Sequence, residues 1–245
     1  MRTAVISDIH ANLEALTAVL ERIRALKADE IVCPGDLVGY NANPNECLDI
    51  LRSEKIKCVL GNHDVCAAGM EEPDNFNRYA RAAVLWTRDR LTDENRRFLM
   101  ALPRERRIRD FFLFHGTIHE TDRYILYRED AVDNFRFLAD LPGPLSVGFF
   151  GHTHVKMALI ESHGVFSTSL EPEELELSPD KRYLINPGST GQPRDGDPRA
   201  AFLVYDDEDR KVTFHRVEYD IRTCQEKIIR AGLPPQLAER LAWGR

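Results

Sequence analysis

Apolar and polar positions follow two rhythms in the first sixty residues. A short β-branched and apolar run at 3–7 gives way to polar residues at 8–12. Leu13, Leu16, Leu20 and Ile23, with Val19 and Leu26, then recur at the spacing of one helical face, which predicts an amphipathic helix over 13–26. A second short strand is expected at 31–33, ending in Pro34-Gly35, then a helix at 45–52 and a third strand at 56–60 ending in Gly61. Strand, helix, strand, helix, strand argues for a parallel sheet with crossover helices.

Further on, 76–102 is helical in pattern, with Leu85, Trp86, Phe98 and Leu99 as expected core. A buried strand at 111–114 stops at His115-Gly116, a helix covers 131–139, and a strand at 147–150 stops at Gly151-His152. The second half changes character. Segments 155–160 and 165–169 flank Ser162-His163-Gly164 as a hairpin, and 201–205 with 212–217 form another. The acidic, proline-punctuated segment 171–180 reads as a mobile surface loop, and 220–243 as one or two terminal helices broken near Gly232 and Pro234-Pro235. The expected fold is α/β: two packed mixed sheets flanked by helices. With no linker or repeat, a single domain over 1–245 is expected, its residues 220–245 forming a helical tail packed on it.

Composition sets limits on function. At 43% hydrophobic the chain has ample core material, so neither disorder nor a disulfide scaffold is required. Lys and Arg number 33 against 40 Asp and Glu, a formal charge of -7, which opposes bulk coating of nucleic acid but not one phosphate-bearing substrate at a single site. No run approaches the roughly 18 apolar residues of a membrane span. The N-terminus lacks the basic segment and long apolar stretch of a secretory signal. Five cysteines without a Cys-x-x-Cys pair suit reduced thiols used as small apolar fillers, so a cytoplasmic protein is expected.

Metal-type side chains collect where strands end. Asp8 and His10 follow the first, Asp36 the second, Asn62-His63-Asp64 the third, His115 the strand at 111–114, and His152 and His154 the strand at 147–150. Carboxyl ends of strands are where open α/β sheets bind ligands, so these groups are expected to face one crevice. Asp8/His10 and His152/His154 are spaced i, i+2. In extended backbone each pair would share a face, gripping one ion or serving two neighbours. Gly35, Gly61, Gly116 and Gly151 touch or adjoin these residues, where close backbone approach favours a residue without Cβ. Five histidines, three aspartates and an asparagine at five strand ends are too many to attribute to packing.

The series Asp8-x-His10, Gly35-Asp36, Gly61-Asn62-His63-Asp64, His115 and Gly151-His152-Thr153-His154 resembles the calcineurin-like metallophosphoesterases, and Asn186-Pro187-Gly188-Ser189 resembles a strand-end turn of their small bacterial and archaeal members. The resemblance implies a four-layer αββα sandwich and two divalent metal ions (Mn, Fe, Zn or Ni). Asp8, His10 and His154 would hold one ion, Asn62, His115 and His152 the other, with Asp36 bridging. It also implies a hydroxide between the ions as nucleophile, His63 facing the leaving group, and Asp64 orienting the His63 imidazole. Two departures stand out: Ala11 replaces the glycine usual after the first histidine, and His115-Gly116-Thr117 replaces the frequent His-Gly-Ser-Pro.

Asn12 and Tyr40 lie close enough to the ligands to touch substrate, although Asn12 equally suits a cap for the first helix. His119 reads as a solvated loop histidine. Eight arginines over 88–109 could steer a phosphorylated macromolecule, but a solvated, ion-paired helix face is the stronger reading. The expected function is a phosphoesterase acting on a small phosphorylated substrate, foremost a phosphodiester. A phosphoprotein Ser/Thr phosphatase and a dinucleoside-polyphosphate hydrolase are the enzymatic alternatives. A catalytically silent binding scaffold is the remoter one, disfavoured because every ligand and His63 are present.

Overall fold

The computed structural model describes residues 1–170 and 172–245. The parallel start of the chain is present: β1 (Arg2–Val5), α1 (Leu13–Leu26), β2 (Glu30–Cys33), α2 (Pro44–Ser53) and β3 (Lys57–Cys58). These strands lie side by side and parallel, β3-β2-β1, and continue through antiparallel β11 (Ala200–Asp206), β12 (Lys211–Val217) and β9 (Glu174–Glu176). The second sheet runs β4-β5-β6-β10-β7-β8, where β4 is Glu105–Ile108, β5 Phe111–Phe114, β6 Val147–Phe149, β7 Lys156–Ser162, β8 Val165–Leu170 and β10 Arg182–Pro187. Its β5, β6 and β10 are parallel.

Burial explains the strand sequences. Phe111 and Leu113 face the first sheet, packing with Val5, Val32, Phe149 and Leu203. Phe112 and Phe114 face the other way, onto Phe135 and Leu138 of α6 (Arg128–Asp140). A strand covered on both faces reads as a continuous apolar run instead of alternating. The first sheet's outer face is covered by α1 and α2 through Leu16, Leu20 and Leu48. Together these make four layers, helix, sheet, sheet, helix. Two C-terminal helices, α7 (Ile221–Arg230) and α8 (Pro235–Glu239), add Ile228 and Leu237 to a cluster with Ala80, Ala83 and Tyr40. Lys227 of α7 pairs with Glu14 of α1. Among the described residues, no helix is long and apolar enough to cross a membrane.

Three expectations change. The helical stretch 76–102 is two helices, α4 (Arg78–Arg90) and α5 (Asp93–Met100), because Thr92 starts a new one by accepting a hydrogen bond from Asn95 N at 3.2 Å. Leu85, Trp86 and Phe98 are only half-buried. The arginine-rich stretch contains β4, an edge strand whose charges suit an unpaired flank. Four of its arginines are held by structural partners: Arg88 by Glu72 and the carbonyls of Cys66 and Glu71, Arg104 by Glu71, Arg107 by the carbonyls of Pro142 and Gly143, Arg109 by Glu30. Finally, the acidic segment 171–180 is not simply a loop. Glu174–Glu176 pairs with β12, setting Leu175 opposite Val212 between two glutamates, and Leu177 is buried; Glu171 lies outside the described residues.

Asp64 lies on α3 (Asn62–Ala67), and the structure overturns its expected role of orienting His63. Consecutive residues on a helix point in different directions, so the two side chains do not meet. The carboxylate braces backbone instead: Oδ1 accepts from Leu37 N (2.8 Å) and Val38 N (3.1 Å), and Oδ2 from Gly61 N (3.0 Å). Burial pushes it up to about 8, helped by the nearby Asp36 charge and opposed by the amide donors. It is the rivet that joins the loop after β2 to the start of α3.

Ala11, fully buried at φ 57, shows why a glycine is favoured there. A left-handed conformation costs an L-residue roughly 1–2 kcal/mol, partly offset in glycine by its greater unfolded entropy. Ala11→Gly is therefore expected to raise stability by about 0.5–1 kcal/mol in denaturant unfolding, and a loss of stability would refute the strain argument. Asp64→Ala strips three enclosed amides of their acceptor and is expected to cost roughly 3 kcal/mol. A cost below about 1 kcal/mol would show that the brace is not needed.

Candidate metal centre

All seven expected ligands come together at one rim of the sandwich, delivered by loops after β1, β2 and β3 of one sheet and β5 and β6 of the other. The first two loops keep pairing beyond their strands: Asp8 N donates to Gly35 O (3.1 Å), His10 N to Asp36 O (3.0 Å) and Ala11 N to Leu37 O (3.0 Å). They do so in left-handed conformation, with φ of 51° at Asp8, 48° at His10 and 54° at Asp36; His152 and His154 follow at 68° and 60°. The extended i, i+2 geometry expected for the two pairs is therefore absent. Backbone held in this region persists where the surroundings over-determine it. Here the end of β10 and the turn that follows it supply that bracing. Asn186 Nδ2 donates to Gly151 O (2.6 Å) and Thr153 Oγ1 (3.0 Å), and Ser189 Oγ donates to Asp8 O (2.8 Å).

The donor atoms form two groups that share Asp36. One holds Asp8, His10, Asp36 and His154, the other Asp36, His115 and His152, and all the candidate atoms of a group lie within 4.8 Å of one another. Asn62 Oδ1 joins the second, 3.2 Å from His115 Nε2. His152 and His154 thus divide between the groups, while Asp8 and His10 stay together. Glycine permits the crowding: a Cβ on Gly61 would sit 2.1 Å from Asp36 Oδ1, and one on Gly151 would sit 2.9 Å from Asp8 Oδ2.

The hydrogen bonds decide what these atoms can bind. Nδ1 of His10, His115 and His154 faces a backbone carbonyl, of Val38 (3.0 Å), Pro34 (2.8 Å) and Gln192 (2.6 Å) respectively. A carbonyl only accepts, so each Nδ1 carries a proton and each Nε2 points inward, offering a lone pair whenever the ring is neutral. Those lone pairs meet one another and oxygens: His10 Nε2 lies 3.1 Å from His154 Nε2 and 3.4 Å from Asp36 Oδ2. His115 Nε2 lies 3.3 Å from the same Oδ2. His152 is reversed, its Nε2 donating to Asp122 O (3.0 Å) and Nδ1 left as the donor atom. Asp8 Oδ2 is enclosed with no hydrogen-bond partner.

Acceptors converging on acceptors in a buried space call for a cation, and imidazole, carboxylate and amide donors fit a divalent transition metal. The proton balance agrees. Burial pushes His10 and His154 well below the usual histidine range and His152 down to about 3, keeping the neutral form that a metal binds. His115 departs the other way. Burial lowers it, but Asp36, Asp8 and the Pro34 carbonyl together lift it to about 9, so a proton there answers the same demand for positive charge.

His63 lies in the wall of the adjoining cavity of about 150 Å³, its ring packed against Tyr40 (4.4 Å between centres) and Phe76 (4.6 Å). Its Nδ1 has no partner, and burial holds it down to about 4. Tyr40 lines the same cavity, whereas Asn12 does not. Asn12 caps α1, accepting from Ala15 N (3.0 Å) and donating to Gly191 O (2.8 Å), so its expected substrate contact is overturned by its helix-capping role. His119 is exposed, away from the cavity.

The sequence reading missed Phe76, Tyr124 and Arg194, which also line the cavity. Tyr124 stacks on His152 at 4.1 Å between ring centres. Tyr124 comes from a long connection with no periodicity to mark it, and Phe76, read as the start of a helical stretch, lies in the connection before α4. Arg194 had a usable signal, because it follows the Asn186-Pro187-Gly188-Ser189 turn at the same end of the sheet.

Comparison with known proteins agrees with this geometry. The family described as the calcineurin-like phosphoesterase superfamily domain matches residues 1–210. An uncharacterized protein of Methanocaldococcus jannaschii is 42% identical over 246 residues, covering 99% of this chain and 98% of its own. The crystal structure of a metallophosphoesterase from Sphaerobacter thermophilus superposes with a TM-score of 0.86 at 38% identity, covering 100% of both chains. A hypothetical protein of Pyrococcus horikoshii OT3 shares the fold, with a TM-score of 0.81 at 22% identity over 100% of this chain and 98% of its own. The chain belongs to the calcineurin-like phosphoesterase superfamily.

Proposed function

We propose that this protein hydrolyses phosphoesters, foremost phosphodiesters, with two divalent cations held at the paired donor groups. The observation that carries this reading is the pair of donor groups sharing Asp36, in each of which imidazole nitrogens and carboxylate oxygens converge on one buried point. Asp8, His10 and His154 would hold one ion, Asn62, His115 and His152 the other, and Asp36 both. Such a pair supplies Lewis-acid stabilisation of the attacking and leaving oxygens and an activated water.

The chain's own side chains do the rest. The carbonyls of Val38, Pro34 and Gln192 hold three imidazoles in one tautomer and orientation, so the donor set needs little rearrangement. His63 stands in the cavity wall, where its N–H would stabilise or protonate the departing oxygen. Tyr40 and Phe76 fix its ring by packing, which replaces the role assigned to Asp64. Beyond the donors, Phe76, Tyr124, Asn75 and Asn77 give the walls aromatic and amide stretches beside Arg194 and Asp122. The aromatic and amide stretches suit the organic groups of an ester, of which a diester brings two, and this supports the diester reading. A small phosphorylated substrate fits this cavity better than a long polyanion, because Arg88, Arg104, Arg107 and Arg109 are tied to structural partners and none of the arginines of 88–109 lines the cavity. Five buried free cysteines suit a reducing compartment, the cytoplasm.

Two measurements test the proposal. Elemental analysis of reconstituted protein is expected to find close to two divalent ions per chain, and His152→Ala to lose mainly one. A single ion with full activity would overturn the dinuclear reading. On an aryl phosphodiester and an aryl phosphomonoester, His63→Ala and Asp36→Ala are expected to fall by roughly 10²–10⁴ in kcat. Turnover equal to that of the unaltered protein would sink the enzymatic assignment, and faster turnover of the monoester would move the substrate class to phosphatase.

A further inference from the structure

Arg194 stands apart from the other cations. It is the one lysine or arginine that lines the cavity among the described residues. Among the described residues, no carboxylate lies within ion-pair distance of it. Its partners are neutral: Nη2 donates to Tyr40 Oη (3.2 Å) and Gln192 Oε1 (3.0 Å), and its guanidinium carbon sits 5.6 Å from the centre of the Tyr40 ring. Nε is enclosed with no partner at all. A guanidinium cannot shed its charge, and a charge withdrawn from water without a counter-ion is costly.

The surrounding loop is built to hold this arrangement. Arg194 N donates to His154 O (3.2 Å), tying the arginine to a donor of the metal centre. The next residue, Asp195, pairs with Arg216, both side chains nearly inaccessible, and accepts from Lys156 N (3.3 Å). Arg199, on the same loop, is satisfied by Asp197 at 2.6 Å. One loop therefore carries a neutralised arginine facing outward and an unneutralised one facing the cavity. Once cations outweigh Asp8 and Asp36, Arg194 would face positive charge, a position relieved by an anion lying between them.

Resting on the phosphoesterase reading, we propose that Arg194 clamps the non-bridging oxygens of the scissile phosphoryl group. Its planar fork matches two phosphate oxygens, which a lysine ammonium does not. The Tyr40 ring lies against both the guanidinium and the His63 imidazole, so it sets the spacing between the clamp on the phosphoryl group and the donor to the leaving oxygen. The ligand class is an anionic phosphoryl group, in a mono- or a diester. A neutral phosphotriester offers the clamp no anionic oxygen.

Titration calorimetry of orthophosphate into the metal-reconstituted, full-length protein tests this without relying on turnover. Arg194→Ala is expected to weaken phosphate binding roughly 10- to 100-fold at unchanged metal content and thermal midpoint. Arg194→Lys, which keeps the charge but not the fork, is expected to fall between, and Arg199→Ala to bind as the unaltered protein does. Phosphate affinity unchanged in Arg194→Ala, or weakened equally in Arg199→Ala, would overturn the proposal. So would loss of metal in both Arg194 variants, which would make the residue a builder of the centre. If phosphate binding depends on Arg194 but the unaltered protein cleaves neither aryl ester, the hydrolase reading falls and the clamp stands.

Discussion

One buried carboxylate holds the site together. Asp36 is almost fully enclosed at positive φ, and its Oδ2 lies within 3.4 Å of His10 Nε2 and 3.3 Å of His115 Nε2, while Oδ1 accepts from His63 N at 2.9 Å. It therefore connects the loop after β1, the start of α3 and a strand end of the opposite sheet. A carboxylate withdrawn from water and ringed by lone pairs is stable only if positive charge accompanies it. Much of the local architecture follows from that demand: the neutral imidazoles, the lifted His115, and the tight glycines around them.

The sandwich makes this meeting possible. Acids come from the first sheet and most of the imidazoles from the second, and they meet because Val5 and Val32 pack face to face with Phe111 and Phe149 just beneath. The loops at the rim hold left-handed backbone against its natural cost, and they are braced by groups that never touch the donors' tips. Asp64 holds the loop after β2, Asn186 the loop after β6, and Ser189 the loop after β1. Rigidity of this kind keeps donor atoms in place without the ligand having to order them.

How much was legible from the sequence varied with how local the cause was. The span of α1 reads directly from its apolar stripe, and Asn12 caps it as an asparagine before such a stripe should. The strands β5 and β6 read from continuous apolar runs. By contrast β4 and β9 hide in charged segments, because an edge strand needs only one paired side and tolerates charge on the other. The break between α4 and α5 rests on one capping threonine inside an otherwise helical pattern. At the site, residue types and strand-end positions identified the donors, but extended-strand geometry misplaced how they pair, since the loops turn left-handed.

The sequence by itself determined which side chains are available for chemistry and which end of the strands carries them, because periodicity and residue type act over a few neighbours. Tertiary structure decided the partners: that Asp64 braces backbone, that Asn12 serves a helix, that His152 and His154 divide between two donor groups, and that Arg194 lines the cavity with no carboxylate ion-paired to it among the described residues. Those outcomes depend on the packing of segments as far apart in the chain as His10 and Arg194. No local pattern records the distance or the solvent exclusion between such residues, and these set both ligand geometry and the cost of an unpaired charge.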